Sequence, residues 1–146
     1  MALCGGVGLM LTPENLINFS KAGMLNADGR CYTFDSRANG YVRGEGGGMV
    51  VTKPLSDAQR DGDVPIAVIR GSCVNQDGRS SGLTAPNGPS QERCIRTALE
   101  NANIKPAEVG YVEAHGTGTS LGDPIEAIAV GTVLKEGREP GHRFVL

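Results

Sequence analysis

VGYVEAHGTGTSLGDPIEA, residues 109–127, is the stretch on which the reading of the fold turns. VGYVEA has the apolar and β-branched content of a strand. HGTGTSLG is a turn, and DPIEAIAVGTVLKEG (123–137) predicts a helix with Asp123 as N-cap and Pro124 just inside. Strand, glycine-rich turn and helix in succession indicate an α/β unit. In open α/β sheets such a turn is where sites form. His115 stands where the strand ends. Gly116 and Gly118 leave room for a ligand beside the backbone, and Thr117 and Thr119 supply hydroxyls that both donate and accept. A neutral imidazole there can act as acid, base or hydrogen-bond donor near neutral pH. A histidine that merely closes the turn fits the spacing equally well, and both readings stand at this level. Asp123 and Glu126 carry a similar ambiguity. D-P-I-E at a helix start reads first as a capping box, in which each end of the motif satisfies an amide of the other. A metal set of His115, Asp123 and Glu126 is a less specific alternative.

Outward from this unit the alternation continues. GGVGLML (5–11) predicts a buried strand, and TPENLINFSKAG (12–23) a helix capped by Thr12 and ended by Gly23. MVVTKPL (49–55) and IAVIRGSCV (66–74) predict two more strands, with a short helix from Ser56 between them. NQDGRSSGLTAPNGPS (75–90) is a long polar loop of the kind that usually carries function. Pro89–Asn103 predicts a helix with Cys94, Ile95, Ala98, Leu99 and Ala102 on one apolar stripe. FVL (144–146) reads as the opening of a further strand.

Composition narrows the function. With 14 Lys and Arg against 16 Asp and Glu in 146 residues, the net charge of −2 gives no footprint for nucleic acid or an anionic membrane. No apolar run approaches the roughly 20 residues of a membrane span. Cys4, Cys31, Cys73 and Cys94 lack CxxC or zinc-ligand spacing, a pattern suited to reduced thiols in a cytoplasmic protein. No cysteine has a neighbour in sequence that marks it as a nucleophile, and Cys94 belongs on the core stripe. GEGGG (44–48) lacks the P-loop form and is followed by a strand, so it is not a phosphate loop; Arg43 and Glu45 beside it read as an ion pair or as loop braces. A hydrolase or metal protein using His115 with Asp123 would lack a G-x-S-x-G elbow and any metal spacing.

Four blocks in order resemble one family. EAHGTGTSLGDPIEA is similar to the histidine motif of β-ketoacyl synthases, above all the ketosynthase domains of type I polyketide synthases. TFDSRANGYVRGEGGG (33–48), SCVNQDGRSSGLTAPNGPSQ (72–91) and IKPAEVGYVEAHGTGT (104–119) follow that family's order and spacing. The resemblance runs from about residue 5 to the C-terminus. It implies a thiolase-like layered α/β fold, present in part: residues 1–65 as the end of the first half and 66–146 as the start of the second. The implied activity is decarboxylative Claisen condensation of a malonyl-type extender with an acyl thioester, in polyketide or fatty acid biosynthesis. The implied partners are an acyl carrier protein, whose phosphopantetheine arm carries the substrates, and a second copy in a homodimer. No cofactor is implied for the chain itself.

The resemblance also assigns roles. His115 matches the first of two catalytic histidines, Thr117 and Thr119 match threonines that hydrogen-bond the pantetheine arm, and Glu126 matches a glutamate that braces a lysine near the site. Asp123 stands beside it as a further brace. The family's nucleophilic cysteine lies in a DTACSSS-like motif that these residues do not contain, and Cys4 lacks its neighbours. The second histidine belongs to a K-[ST]-N-x-G-H motif, also absent, and His142 does not replace it. The expectation is a ketosynthase segment inactive alone; a non-catalytic remnant or a binding partner of a related chain is the alternative. A segment lacking its covering half is expected to expose apolar surface and to fold marginally.

Overall fold

The computed structural model describes residues 1–82 and 84–146. Two compact units interleave along the chain. One comprises Met1–Gly23 with Arg43–Ile69, the other Met24–Val42 with Arg70–Leu146.

In the first unit, β1 (Ala2–Gly8) pairs antiparallel with β2 (Gly46–Thr52), from Ala2 opposite Thr52 to Gly8 opposite Gly46. The two strands expected near 5–11 and 49–55 therefore exist, shifted a few residues toward the N-terminus. Neither is buried: Leu3, Val7, Met49, Val50 and Val51 all stand well exposed. Burial needs a layer on each face of a sheet, and among the described residues these strands keep most of their side-chain surface open. Helix α1 (Glu14–Lys21) starts at Pro13 without a side-chain cap. Thr12 instead hydrogen-bonds the Glu14 carboxylate and holds its pKa below the usual value. Pro54 precedes α2 (Leu55–Asp61), one residue ahead of the expected Ser56 start, and Gly62 closes it in the left-handed conformation. Glu45 is a brace, accepting from the Met10 N–H at 2.6 Å, while Arg43 lies over the Phe19 ring.

The second unit carries the core. Helix α3 (Gly88–Ala102) begins at Asn87, whose side chain accepts from the Ser90 N–H at 3.1 Å. After a 3-10 turn, Pro106–Glu108, comes α4 (Gly122–Leu134). α4 is apolar around most of its circumference, and α3 packs along it. Val130, Val133 and Leu134 form the buried cluster, with Ile95 and Leu99 from α3 and Val109, Val112 and Phe144 completing it. Arg138 locks the end of α4. Its Nε donates to the Leu134 carbonyl at 3.0 Å, and its Nη2 to the Pro106 and Val109 carbonyls at 2.9 and 2.8 Å. Three carbonyl acceptors, one at the end of α4 and two at the 3-10 turn, suit a planar cation.

The strand expected at 66–74 does not form a ladder, and the one at 109–114 forms a single parallel bridge, Tyr111 with Val145. A strand is defined by its neighbour, and 66–74 has none among the described residues. Its C-terminal part is strapped to α3 by other means. The Asn101 side chain donates to the Ser72 carbonyl at 3.0 Å, Arg70 to the Ala102 carbonyl at 3.2 Å, and Asn75 to Ser90 at 2.9 and 3.0 Å. Gly71 permits the approach: a Cβ there would stand 2.6 Å from the Ala98 carbonyl oxygen and 2.5 Å from the Ala102 nitrogen.

Candidate active site

The turn after Ala114 is held by two carboxylates, both aimed at backbone amides. Glu126, one turn into α4, accepts from the His115 N–H at 2.7 Å with one oxygen and from the Gly116 N–H at 2.9 Å with the other. Asp123 is buried, only 3 % exposed. Its Oδ1 accepts from the Gly118 and Thr119 N–H groups at 3.0 and 3.3 Å, and its Oδ2 from the Phe34 N–H at 2.8 Å. The capping-box expectation is corrected here. Leu121, not Asp123, is the N-cap of α4, and neither carboxylate satisfies the helix's own first amides. Both reach outward instead, because HGTGT folds back over the helix start and presents the His115, Gly116, Gly118 and Thr119 amides to them. Charged acceptors on such amides make stronger bonds than neutral ones.

A second segment closes over the turn. Thr33 Oγ1 donates to the Gly116 carbonyl at 2.5 Å, and the Gly40 N–H to the Gly118 carbonyl at 3.0 Å. The space beside Gly116 and Gly118, expected to admit a ligand, is filled by the chain itself. A Cβ on Gly116 would stand 2.7 Å from Thr33 Cγ2, and one on Gly118, at φ +74°, would overlap the Cys31 carbonyl. Tyr32 and Phe34 both hold positive φ, 49° and 56°. This is costly for bulky residues, by about 1–3 kcal/mol each, and persists only where surroundings over-determine it. The Asp123–Phe34 bond is one such restraint. Sequence reasoning missed Thr33, Phe34 and Gly40 as partners of the turn. They lie in TFDSRANGY, within one of the family-like blocks, but nothing in their spacing points to residues more than seventy positions away.

His115 itself is exposed, and its imidazole has no hydrogen-bond or ion-pair partner among the described residues. It borders a cavity of about 360 Å³ shared with Thr33, Phe34, Tyr111, Glu113 and Leu146. The backbone on both sides of the ring is fixed while the ring is left free to meet a ligand. Thr117 and Thr119 are half-buried, with their hydroxyl oxygens 3.5 Å apart. Thr119 Oγ1 also accepts from the Gly122 N–H at 3.1 Å, which leaves its own hydrogen for another acceptor. Thr119 and Asp123 border a second cavity, of about 460 Å³, with Phe34 and Ser36. Neither Asp123 nor Glu126 hydrogen-bonds the His115 ring, so the arrangement is not a carboxylate–histidine relay. Among the described residues no three His, Cys, Asp or Glu side chains gather as metal ligands, and no helix is long and apolar enough to cross a membrane.

A histidine-bearing glycine turn clamped at the start of an apolar helix, with the four family-like blocks in order around it, defines a β-ketoacyl synthase, and the chain belongs to that family. Residues 1–58 match the beta-ketoacyl synthase N-terminal domain and residues 66–146 the C-terminal domain. A phenolphthiocerol/phthiocerol polyketide synthase protein of Mycobacterium tuberculosis is 58% identical over 94% of the chain, which spans 7% of that protein. Polyketide synthase GfsA of Streptomyces halstedii is 56% identical over 94% of the chain, which spans 2% of it. The solved ketosynthase from module 6 of the bacillaene synthase of Bacillus subtilis superposes with TM-score 0.89 at 50% identity, over 92% of this chain and 24% of that one. The oxazolomycin ketosynthase domain OzmH KS7 of Streptomyces albus gives 0.90 at 41% identity, over 98% and 24%. The fold is thus the thiolase-like α/β fold of ketosynthases, over the segment that these residues cover.

Proposed function

We propose that these residues form the part of a polyketide ketosynthase that presents its first catalytic histidine, His115. The substrates are a malonyl-type extender and an acyl thioester, each carried on the phosphopantetheine arm of an acyl carrier protein. His115 donates a hydrogen bond to the malonyl thioester oxygen. As the carboxylate leaves as CO₂, its bonding electron pair passes into the enolate, whose charge the imidazole stabilises. The enolate carbon then attacks the acyl thioester held on the synthase's cysteine, and that sulfur leaves as thiolate. Thr117 and Thr119 hydrogen-bond the pantetheine arm, while Glu126 and Asp123 position the turn. The cysteine and the second histidine come from motifs outside these residues. The division near residues 65 and 66 into two family halves, homodimerisation and a cytoplasmic setting belong to the same reading.

One observation carries it: the amides on either side of His115 are clamped while its ring is free over a cavity. A structural turn histidine would spend its ring on the turn. The test is a chimera, the bacillaene module 6 ketosynthase with its matching segment replaced by this chain. Condensation by the chimera, lost on His115→Ala, supports the proposal. A folded chimera that condenses equally well without the histidine refutes it. The isolated 146-residue chain is expected to give no turnover, since nucleophile and histidines act as a unit. That expectation also fits the second reading, a non-catalytic binding partner, which a failure of the folded chimera to condense would favour.

A further inference from the structure

We infer that Thr33 is a positioning residue for the condensation: its hydroxyl sets where His115 stands relative to Thr117 and Thr119. The inference rests on the function proposed for His115 and deepens it. The turn is held separately at its two ends. Glu126 holds the near end, accepting from the His115 and Gly116 N–H groups at 2.7 and 2.9 Å. Asp123 and Gly40 hold the far end, through the Gly118 and Thr119 N–H groups and the Gly118 carbonyl. Between the ends lies the peptide that joins Gly116 to Thr117. Gly116, at φ 51°, has no Cβ to limit its rotation, so it is the hinge between histidine and threonines. The carbonyl of that peptide accepts from Thr33 Oγ1 at 2.5 Å. With Glu126 on the amide of Gly116 and Thr33 on its carbonyl, both soft dihedrals of the hinge are fixed.

Thr33 is itself a stiff post. It is β-branched, which restricts its side-chain rotation. Its methyl stands beside the hinge, where a Cβ on Gly116 would approach Cγ2 to 2.7 Å. The Phe34 N–H donates to Asp123 Oδ2 at 2.8 Å, and the Asp35 N–H to the Tyr32 carbonyl at 3.0 Å, so the backbone on both sides of Thr33 is tied down. The carboxylate that anchors the far end of the turn therefore anchors the post as well. The His115 ring and the arm-binding threonines serve one substrate at once. A change in their spacing costs rate at the reacting atoms while the arm is still bound.

The test compares Thr33→Val and Thr33→Ser in the chimera, each with His115 and with His115→Ala. Valine keeps the shape and removes the donor, whereas serine keeps the donor. Thr33 is exposed, so neither change hollows out the core, and acyl loading of the synthase's cysteine reports a folded domain. Thr33→Val is expected to lower kcat for malonyl-thioester decarboxylation about tenfold with KM unchanged, and Thr33→Ser to stay within about threefold of the parent. The valine change is expected to leave the residual rate of the His115→Ala chimera unaltered. Where the valine variant does not load, Thr33→Ala replaces it with the same expected fall. Full activity without the hydroxyl overturns the inference. So do an equal loss in the serine variant, a rise in KM in place of the fall in kcat, and an equal fall in the His115→Ala background. Undiminished decarboxylation by His115→Ala alone overturns the functional reading and this inference with it.

Discussion

Asp123 is the residue on which the turn depends most. It binds three backbone amides from two segments. Asp123→Ala leaves buried donors unpaired and is expected to destabilise the chimera by about 3 kcal/mol or more, measured by urea denaturation. Asp123→Asn keeps an acceptor and should cost less. Glu126→Gln keeps one oxygen but turns an NH₂ group toward an amide donor. It is expected to lower kcat at least about tenfold with little change in KM, because it disturbs the aim of His115 rather than the binding of the arm. Asp35 offers a pH readout of the neighbouring loop. The Arg37 guanidinium, bonded at 2.9 Å, with help from the Arg37 amide, holds its carboxyl at about 2 against an ordinary 3.8. A depressed folded value means that its support is present above the unfolded pKa and is lost as pH falls from near 4 through about 2. An NMR titration should show that midpoint, and Arg37→Ala should return it toward 3.8. The sequence made His115, Thr117, Thr119, Asp123 and Glu126 visible because they are crowded into one motif. It could not show that both carboxylates serve the turn rather than the helix cap, because that depends on how the turn folds back.

At the scale of elements, α3 was legible within a residue at each end, and α4 in its existence and start, though its cap is Leu121 and it ends at Leu134, three residues short of the expected 137. Asn87 and Asn103 bracket the first, and both apolar patterns are long enough to outweigh local ambiguity. The expected strands fared differently. β1 and β2 found each other, whereas the segment from Arg70 found a helix. Periodicity records which side chains seek burial, not which backbone will supply the ladder. The strapping of that segment yields a prediction: Gly71→Ala drives a methyl into the α3 backbone and should destabilise the chimera by about 1–3 kcal/mol. Arg138→Lys replaces a planar donor that serves three carbonyls with a single ammonium. It is expected to cost about 1–2 kcal/mol, read from the same denaturation curves.

Across the whole chain, buried apolar residues are few among those described, and β1, β2 and the 64–74 segment expose most of theirs. Exposed strands and apolar patches of this kind promote association. The isolated chain is expected to bind a hydrophobic dye and to self-associate at micromolar concentration; a dye-silent monomer with a cooperative thermal transition would contradict this. The chain spans about a quarter of the solved ketosynthases that it matches, so its chemistry is tested inside a whole one. The decisive measurement is malonyl-thioester decarboxylation by the chimera, compared between His115 and His115→Ala at equal loading of the acyl group on the cysteine. The account predicts a fall of about 10²- to 10⁴-fold with loading unchanged. Undiminished decarboxylation by the folded alanine variant would contradict it.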